Sequence, residues 1–316
     1  MMRITWCAFI ATLVGLCLPP LPAQAQLSRT FVSAASGSDA NDCNLATPCR
    51  TFQGAHDKTN DQGEITVLDP GGYGAVTITK SISIVNDGVG EAGMLVSGGA
   101  TGITVNAPAA AYVNLRGLTV QGIGFGGGTG LVFTSGFALT ITNCVVRNHT
   151  NHGIVLGPTV DGPVNLSVAN TLVADNGSIG IFVIPHANVT ARITIDGVKL
   201  LNNSSDGLAV DGQIATGTIN ASVTDSVAAG NGNDGFSVFS SATTSKSTLM
   251  VVRSVAANNN LHGVAVESTE NATLWLGQSS ITGNAIAWQG ILSFGDNYIA
   301  GNASGDATLP PTISRK

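Results

Sequence analysis

Charged and aromatic residues are scarce in this chain of 316 residues, at 10% and 5% of the total. Lys and Arg number 13 against 19 Asp and Glu, which gives a net charge of −6. This balance leaves no basic footprint for nucleic acid, so DNA- and RNA-binding classes are excluded. After residue 25 no apolar run approaches the 18 residues of a membrane span, so the mature protein is predicted to lack one.

The N-terminus has the features of a secretory signal peptide. Arg3 precedes an almost continuously apolar stretch over residues 4–18, and small residues follow at 23–25, Ala-Gln-Ala. This order of charge, apolar run and small residues predicts cleavage before Gln26. We therefore expect a protein that is secreted or periplasmic.

Cysteine is also rare, and only three of the five cysteines lie beyond the predicted signal peptide. Cys43 and Cys49 lie six positions apart in a polar, loop-like stretch. In an oxidising compartment this spacing favours a disulfide, and a metal-binding pair is the alternative. Cys144 falls in an apolar run and is interpreted as a small buried residue.

Glycine, by contrast, is abundant, with 40 residues, and eight glycines recur at intervals of 23 to 28 residues. Most of them precede an apolar triplet. A period of this length indicates a solenoid, in which each repeat buries its apolar face against its neighbours. The repeating glycines are Gly102, Gly130, Gly153, Gly180, Gly207, Gly235, Gly263 and Gly290.

Each repeat contains three short apolar runs, and the first alternates with a period of two, as in Leu166-Ser167-Val168. Alternation of this kind indicates a strand with one buried face. No helical period separates the runs, so the strands must stack coil upon coil. The sequence predicts an all-β parallel β-helix of about nine to ten coils, with three short strands per coil.

An asparagine recurs in register between the second and third runs. Asparagine tolerates left-handed turn conformations, and stacked side-chain amides can hydrogen-bond one another. We predict that these residues form a structural ladder rather than a catalytic row. They are Asn176, Asn203, Asn231, Asn259, Asn284 and Asn302.

The repeated pattern Asn-x-x-x-Gly-apolar, as in residues 203–208, resembles the right-handed parallel β-helix proteins of the pectin-lyase-like superfamily. Residues 30–84 add the cysteine pair, a Pro-Gly-Gly-Tyr turn and alternating strands, like the opening of many exported bacterial β-helix proteins. The resemblance implies a signal peptide at 1–25, an N-terminal cap at 26–62, the β-helix at 63–303 and a disordered tail at 304–316. It also implies a short capping helix near Thr51 to Asp57. For activity it implies little, because one fold carries many functions.

In this superfamily polysaccharides bind along an exposed sheet, so the outward rows of the first run are the first place to seek a site. These rows are hydroxyl-rich and nearly uncharged, with Thr194 among them and Arg192 and Asp196 as their charged pair. That pair is interpreted either as catalytic or as a solvated ion pair. Trp275 is predicted to project outward, where its ring could stack on a sugar. The alternative is that it packs under the terminal coil and covers the open end of the solenoid.

A second candidate site lies just before the repeat glycines. Asp206, Asp234 and His262 occupy this position in three successive coils, and Asp211 and Glu267 follow the third strand nearby. Closely spaced carboxylates raise one another's pKa, which suits acid–base chemistry or attracts a cation. The alternative is that Asp-Gly is simply a turn dipeptide, as it is elsewhere in this chain.

The sequence therefore predicts an exported, monomeric scaffold that binds polysaccharide or another extracellular ligand without catalysis. A polysaccharide lyase or glycoside hydrolase centred on Asp206, Asp234 and His262 is the alternative. No metal site and no cofactor are predicted, although calcium is left open. The two hypotheses differ in geometry, because only an enzyme requires the three side chains to converge in a groove.

Overall fold

The computed structural model describes residues 27–122, 126–186, 188–241, 244–268 and 270–314. The signal peptide predicted at residues 1–25 lies outside these residues. Within them the chain is almost entirely β-structure, with one helix, Phe52–Lys58. No helix among these residues is long and apolar enough to cross a membrane.

The strands form three parallel sheets, and each strand pairs with its equivalents in the preceding and following coils. The first sheet has 11 strands, the second 10 and the third 9. In the first sheet they are Leu27–Val32, Thr59–Val67, Ile82–Val85, Tyr112–Arg116, Ala138–Thr142, Gly162–Ala169, Val189–Asp196, Thr218–Thr224, Lys246–Val252, Ala272–Gly277 and Leu292–Ser293. In the second they are Gly71–Gly72, Ala92–Leu95, Leu118–Gln121, Val145–Arg147, Leu172–Ala174, Lys199–Leu201, Val227–Ala229, Val255–Ala257, Ser280–Thr282 and Tyr298–Ile299. In the third they are Val76–Ile78, Thr101–Asn106, Thr129–Ser135, Ile154–Leu156, Ile181–Val183, Leu208–Asp211, Phe236–Phe239, His262–Val266 and Ile286–Gln289.

This arrangement is the predicted parallel β-helix. From Thr59 onward, one strand of each sheet follows another, so the nine strands of the third sheet correspond to nine complete coils. Strands Leu292–Ser293 and Tyr298–Ile299 begin a further, incomplete coil. The prediction of nine to ten coils is confirmed for the described residues.

The core runs along the axis of the solenoid and consists of stacked aliphatic side chains. In the first sheet Leu166 and Val168 are buried, while Ser167 between them is partly exposed. Leu166 pairs with Leu139 in the coil before and with Ile193 in the coil after. Burying a side chain of this size contributes about 1.5–3 kcal/mol, and the column repeats that gain in every coil.

The six asparagines form a continuous ladder of side-chain hydrogen bonds. The Nδ2 of each of the first five donates to the Oδ1 of the asparagine one coil further on, at 2.9–3.1 Å. Asn231 is fully buried, and its Nδ2 also donates to the backbone oxygen of Leu200. Beyond each of the first four asparagines, the glycine four positions later lies against this ladder. A Cβ at Gly207 would approach Asn231 Nδ2 to 3.0 Å and the oxygen of Gly235 to 2.7 Å.

The N-terminal end is closed by the helix and by a disulfide between Cys43 and Cys49. The hydroxyl of Thr51 caps the helix by accepting a hydrogen bond from the backbone N–H of Gly54. Phe52 at the start of the helix is buried against Tyr73, with ring centroids 5.0 Å apart. This helix corresponds to the capping helix that the family resemblance implied.

The C-terminal end includes most of the segment 304–316 for which a disordered tail is predicted. Residues up to 314 are described, and they return to the last coil. The backbone oxygen of Ser304 accepts a hydrogen bond from Ala287, and Ile313 donates one to Ser293. The indole N–H of Trp288 donates to Gly305 and Thr308. These hydrogen bonds join residues 304–314 to the open end of the solenoid, and the division into domains stays a prediction.

Candidate functional sites

The outer face of the first sheet carries a central row of side chains in continuous register. Between Glu64 and Leu292, which continue the row at its two ends, six residues are hydroxyl- or amide-bearing and two large apolar side chains follow them. Small polar groups at one-coil spacing offer hydrogen bonds along the axis without blocking access. In order from the N-terminal end they are Ser83, Asn114, Thr140, Ser167, Thr194, Ser222, Met250 and Trp275.

A groove of about 880 Å³ lies at the C-terminal end of this face. Trp275 and Met250 line it from the row itself, Phe294 from the final coil, and Gln278 and Asp296 supply polar groups. Trp275 therefore projects outward, as predicted, and lines an open groove. The C-terminal segment covers Trp288, and its residues Ile313 and Ser314 also line this groove.

The opposite end of the same face has a smaller groove of about 340 Å³. Tyr112 lines it together with Asn114 and Ser83. The ring of Tyr112 is 56% exposed and lies 5.1 Å from the ring of Phe137, centroid to centroid. Tyr112 was not among the predicted site residues, because a lone tyrosine in a strand does not indicate a groove beside it.

Arg192, Thr194 and Asp196 all lie on the exposed side of strand Val189–Asp196. Asp196 Oδ1 accepts a hydrogen bond from the hydroxyl of Thr224 at 2.5 Å. Arg192 and Asp196 are not paired with each other among the ion pairs of the described residues. Their arrangement supports hydrogen bonding to a ligand and does not form an acid–base pair.

The second candidate site lies on the outer side of the third sheet. The backbone oxygens of Asp206, Asp234 and His262 accept hydrogen bonds from Gly180, Gly207 and Gly235, respectively. The three residues therefore occupy equivalent positions in successive coils. They are 4%, 2% and 4% exposed.

Their side chains converge. Asp234 Oδ1 accepts a hydrogen bond from the backbone N–H of His262 and lies 2.9 Å from His262 Nδ1. Glu267 Oε1 lies 3.4 Å from the same nitrogen. Asp206 Oδ2 accepts a hydrogen bond from the hydroxyl of Ser237 at 2.7 Å, and its Oδ1 accepts one from the backbone of Asp234 at 3.4 Å. We call these five residues the third-sheet cluster.

Burial changes the acidity of two carboxyl groups in the third-sheet cluster. Desolvation raises the pKa of Asp206, although the hydrogen bond from Ser237 opposes this effect in part. Desolvation likewise raises the pKa of Asp234 to about 6, and the neighbouring charge of Asp206 adds to the effect. Hydrogen bonds from His262 act in the opposite direction.

The sequence suggested four of these residues and missed Ser237. Ser237 stands between the core residues Phe236 and Val238, so its side chain belongs to the outer face. It pairs with Ala209 in the previous coil and with Ala265 in the next. These small residues leave room for the aspartates and the histidine beside them.

Chemically, the third-sheet cluster can share protons or ligate a cation. Side chains of Asp234, His262 and Glu267 offer one ligand atom each, all within 4.8 Å of one another. Direct contact with a polysaccharide requires exposed atoms. Asp206, Asp234 and His262 are each 4% exposed or less, so they offer little surface to such a ligand. The convergence expected of an enzyme is therefore present without an open cleft at these three side chains.

No protein-family model matches the sequence, and no curated protein matches it. The fold is similar to that of three solved lyases. A pectate lyase has 16% sequence identity and a TM-score of 0.65, over 92% of this chain and 80% of that chain. A rhamnogalacturonan lyase has 10% identity and a TM-score of 0.52, over 90% and 89%. An alginate lyase from a Paenibacillus species has 14% identity and a TM-score of 0.53, over 87% and 97%.

Identities this low show the fold alone. The chain has the right-handed parallel β-helix fold of the pectin-lyase-like proteins, and the predicted resemblance is confirmed at that level.

Proposed function

We propose that this protein binds an uncharged polysaccharide lengthwise along the outer face of its first sheet. The observation that carries the proposal is the continuous polar row that runs from the Tyr112 groove to the Trp275 groove. Aromatic rings can cover the apolar faces of sugar rings, while hydroxyl and amide groups bond the sugar hydroxyls. The row combines both features on one accessible surface.

The geometry suits a chain rather than a single sugar. Six strand spacings separate the strand of Tyr112 from that of Trp275 in the first sheet. At about 4.8 Å per spacing the two grooves are about 29 Å apart. An extended oligosaccharide several residues long would contact both grooves and the row of Thr140, Ser167 and Thr194 between them.

The charge of this face favours an uncharged ligand. Hydroxyl side chains dominate the central row. On the neighbouring rows Asp196 offsets Arg192, and Arg116 is paired with Asp87. Asp296 adds a negative charge to the Trp275 groove. A densely anionic polymer would therefore find no row of cations to balance its charge.

The test is a binding screen of the mature protein against neutral glucans and mannans and against anionic polygalacturonate and alginate, each with and without calcium. We expect Trp275→Ala to weaken binding about thirtyfold, or about 2 kcal/mol, because a groove-lining tryptophan supplies much of the contact area. Tyr298→Ala is the matched control, since Tyr298 is 78% exposed on the second sheet. Binding that is unchanged by Trp275→Ala would refute this location.

Cleavage is the outcome that would contradict a purely binding function. If the wild type released products and an Asp206→Asn/Asp234→Asn variant did not, the enzyme hypothesis would replace the binding hypothesis. Binding without product release would support the proposal.

We also propose that the protein acts outside the cytoplasm, as a monomer. The disulfide between Cys43 and Cys49 supports this location, because such bonds persist in oxidising compartments. Expression with the native N-terminus, followed by N-terminal sequencing of the exported protein, should give a chain that starts at Gln26. A retained, uncleaved chain would contradict the proposed location.

A further inference from the structure

The third-sheet cluster contains a mismatch between hydrogen-bond donors and acceptors. Nδ1 of His262 faces two carboxylate oxygens, Asp234 Oδ1 at 2.9 Å and Glu267 Oε1 at 3.4 Å. An imidazole nitrogen that carries a proton donates it well to one acceptor. The two oxygens therefore compete for a single donor.

One of these oxygens is left without a hydrogen bond. Glu267 Oε1 is buried and has no hydrogen-bond partner in the described structure. A buried, unsatisfied polar atom costs about 1–3 kcal/mol, and more when it is charged. Asp206 lies against Asp234, so a third carboxyl group adds to the two that face the imidazole. The cluster thus has an excess of acceptors and of negative charge.

We propose that Asp234, His262 and Glu267 bind a divalent transition-metal ion of the zinc class. A cation placed between Nδ1 and the two oxygens would satisfy all three atoms and offset the buried negative charge. Nitrogen and carboxylate oxygen ligands together are typical of Zn²⁺. Calcium is disfavoured, because it takes six to eight oxygen ligands and the cluster offers a nitrogen.

The distances suit this ion. Zinc lies about 2.0–2.2 Å from nitrogen and oxygen ligands, so neighbouring atoms of a tetrahedral site are about 3.4 Å apart. The separation between His262 Nδ1 and Glu267 Oε1 is 3.4 Å. The separation between His262 Nδ1 and Asp234 Oδ1 is 2.9 Å and would widen on binding. A water molecule would complete the four ligands.

Neighbouring groups already hold the ligands in place. The backbone N–H of His262 donates to Asp234 Oδ1, and Asp206 accepts the backbone N–H of Asp234. Ser237 in turn fixes Asp206 through its hydroxyl. Outer hydrogen bonds of this kind orient the ligands of metal sites and tune their affinity.

The proposed ion would link successive coils. Asp234 precedes strand Phe236–Phe239, and His262 and Glu267 belong to the next coil, at strand His262–Val266 and just after it. The site lies on the third sheet, whereas the proposed glycan-binding row lies on the first. It would therefore stabilise the solenoid independently of glycan binding, and failure of either proposal would leave the other intact.

The experiment uses the untagged mature protein after chelator treatment and dialysis. Titration calorimetry with Zn²⁺ should show one ion per chain, and Zn²⁺ should raise the midpoint of thermal unfolding. Co²⁺ should give the intense visible absorption of a tetrahedral site. Calcium at the same concentration should do neither.

Glu267→Gln is the informative variant, since it keeps the size of a partly exposed side chain. We expect it to weaken Zn²⁺ binding at least tenfold, and His262→Gln should act in the same direction. Asp211→Asn is the matched control. Asp211 occupies the position equivalent to Glu267 two coils earlier in the third sheet, so this substitution should leave binding unchanged. Absence of stoichiometric binding in the wild type, or full affinity in folded Glu267→Gln, would overturn the proposal.

Discussion

The asparagine ladder offers the sharpest test of how this solenoid is held together, and Asn231→Ala is the perturbation to make. Asn231 is fully buried near the middle of the ladder. Its Nδ2 donates to Asn259 and to the backbone oxygen of Leu200. Its Oδ1 accepts hydrogen bonds from the backbone N–H and from the Nδ2 of Asn203. Alanine removes all four of these side-chain interactions.

The size of the effect follows from the groups that are left behind. The backbone N–H of Asn203 loses its acceptor, and the ladder on either side of Asn231 loses its continuity. Each buried polar group without a partner costs about 1–3 kcal/mol. We therefore expect Asn231→Ala to lower the free energy of unfolding by about 3–5 kcal/mol, which is in the range for breaking a buried hydrogen-bond network.

Equilibrium unfolding in guanidinium chloride, followed by circular dichroism, measures this loss. Asn233→Ala is the control, because Asn233 lies in the same turn and is exposed. Its side chain donates to the hydroxyl of Ser205 and to Asp206, neither of which belongs to the asparagine ladder. Exposed substitutions of this kind change stability by about 0.5 kcal/mol or less. A difference below about 1 kcal/mol between the two variants would refute the reasoning.

Three further predictions concern other parts of the scaffold. Gly235→Ala should destabilise the protein by about 2 kcal/mol in the same unfolding assay, because the new Cβ would lie 2.6 Å from a backbone oxygen of the next coil, whereas Gly72→Ala meets nothing within 4 Å and should be nearly neutral. Burial alone would raise the pKa of Asp69, but hydrogen bonds from groups such as Ser33 and Tyr73 outweigh it and bring the pKa down to about 2. The ionised carboxylate therefore stabilises the fold above its ordinary pKa of 3.8, and this stabilisation is lost as the pH falls through about 2. Asp69→Asn should therefore cost about 1 kcal/mol at pH 7 and progressively less in acid, and an equal cost at pH 2 would contradict this assignment. Reduction of the Cys43–Cys49 disulfide, or its replacement by serines, should cost about 2 kcal/mol through the entropy of the unfolded chain, which thermal unfolding with and without reductant can measure.

The fold could be predicted from the sequence because each coil repeats one set of local constraints. Alternation in residues such as Leu166 and Val168 identifies the buried face of a strand. Asn231 and Gly235, four positions apart, mark the turn between the second and third sheets. The alternation recurs along the first sheet and the Asn–Gly pair recurs in four successive coils, so an error in one coil is corrected by its neighbours. The C-terminal segment lies outside the repeat and had no such redundancy, which is why its packing was missed.

The candidate sites were only partly predictable. Equivalent positions of successive coils stack into a column that the repeat predicts, but each site combines residues from different columns. Outward projection of Trp275 followed from its register. The groove beside it also requires Phe294, which belongs to the next coil and follows no periodic rule. Similarly, Asp234 and His262 share a column and were predicted together. Their link to Ser237, on a strand with buried neighbours on both sides, appears only when the third sheet is assembled.

The third-sheet cluster differs from the rest of the solenoid in what folding requires. A β-helix needs apolar side chains inside, small or polar side chains at its turns, and paired backbone groups, and most coils meet these needs with uncharged residues. Asp206, Asp234 and His262 instead place ionisable groups where water scarcely reaches them, and burial of charge is unfavourable unless a partner compensates. Hydrogen bonds from Ser237 and from the backbone compensate only in part, since Glu267 Oε1 still lacks a partner. Folding of the repeat alone does not require three neighbouring buried ionisable residues. A bound cation would offset their negative charge and give Glu267 Oε1 a partner.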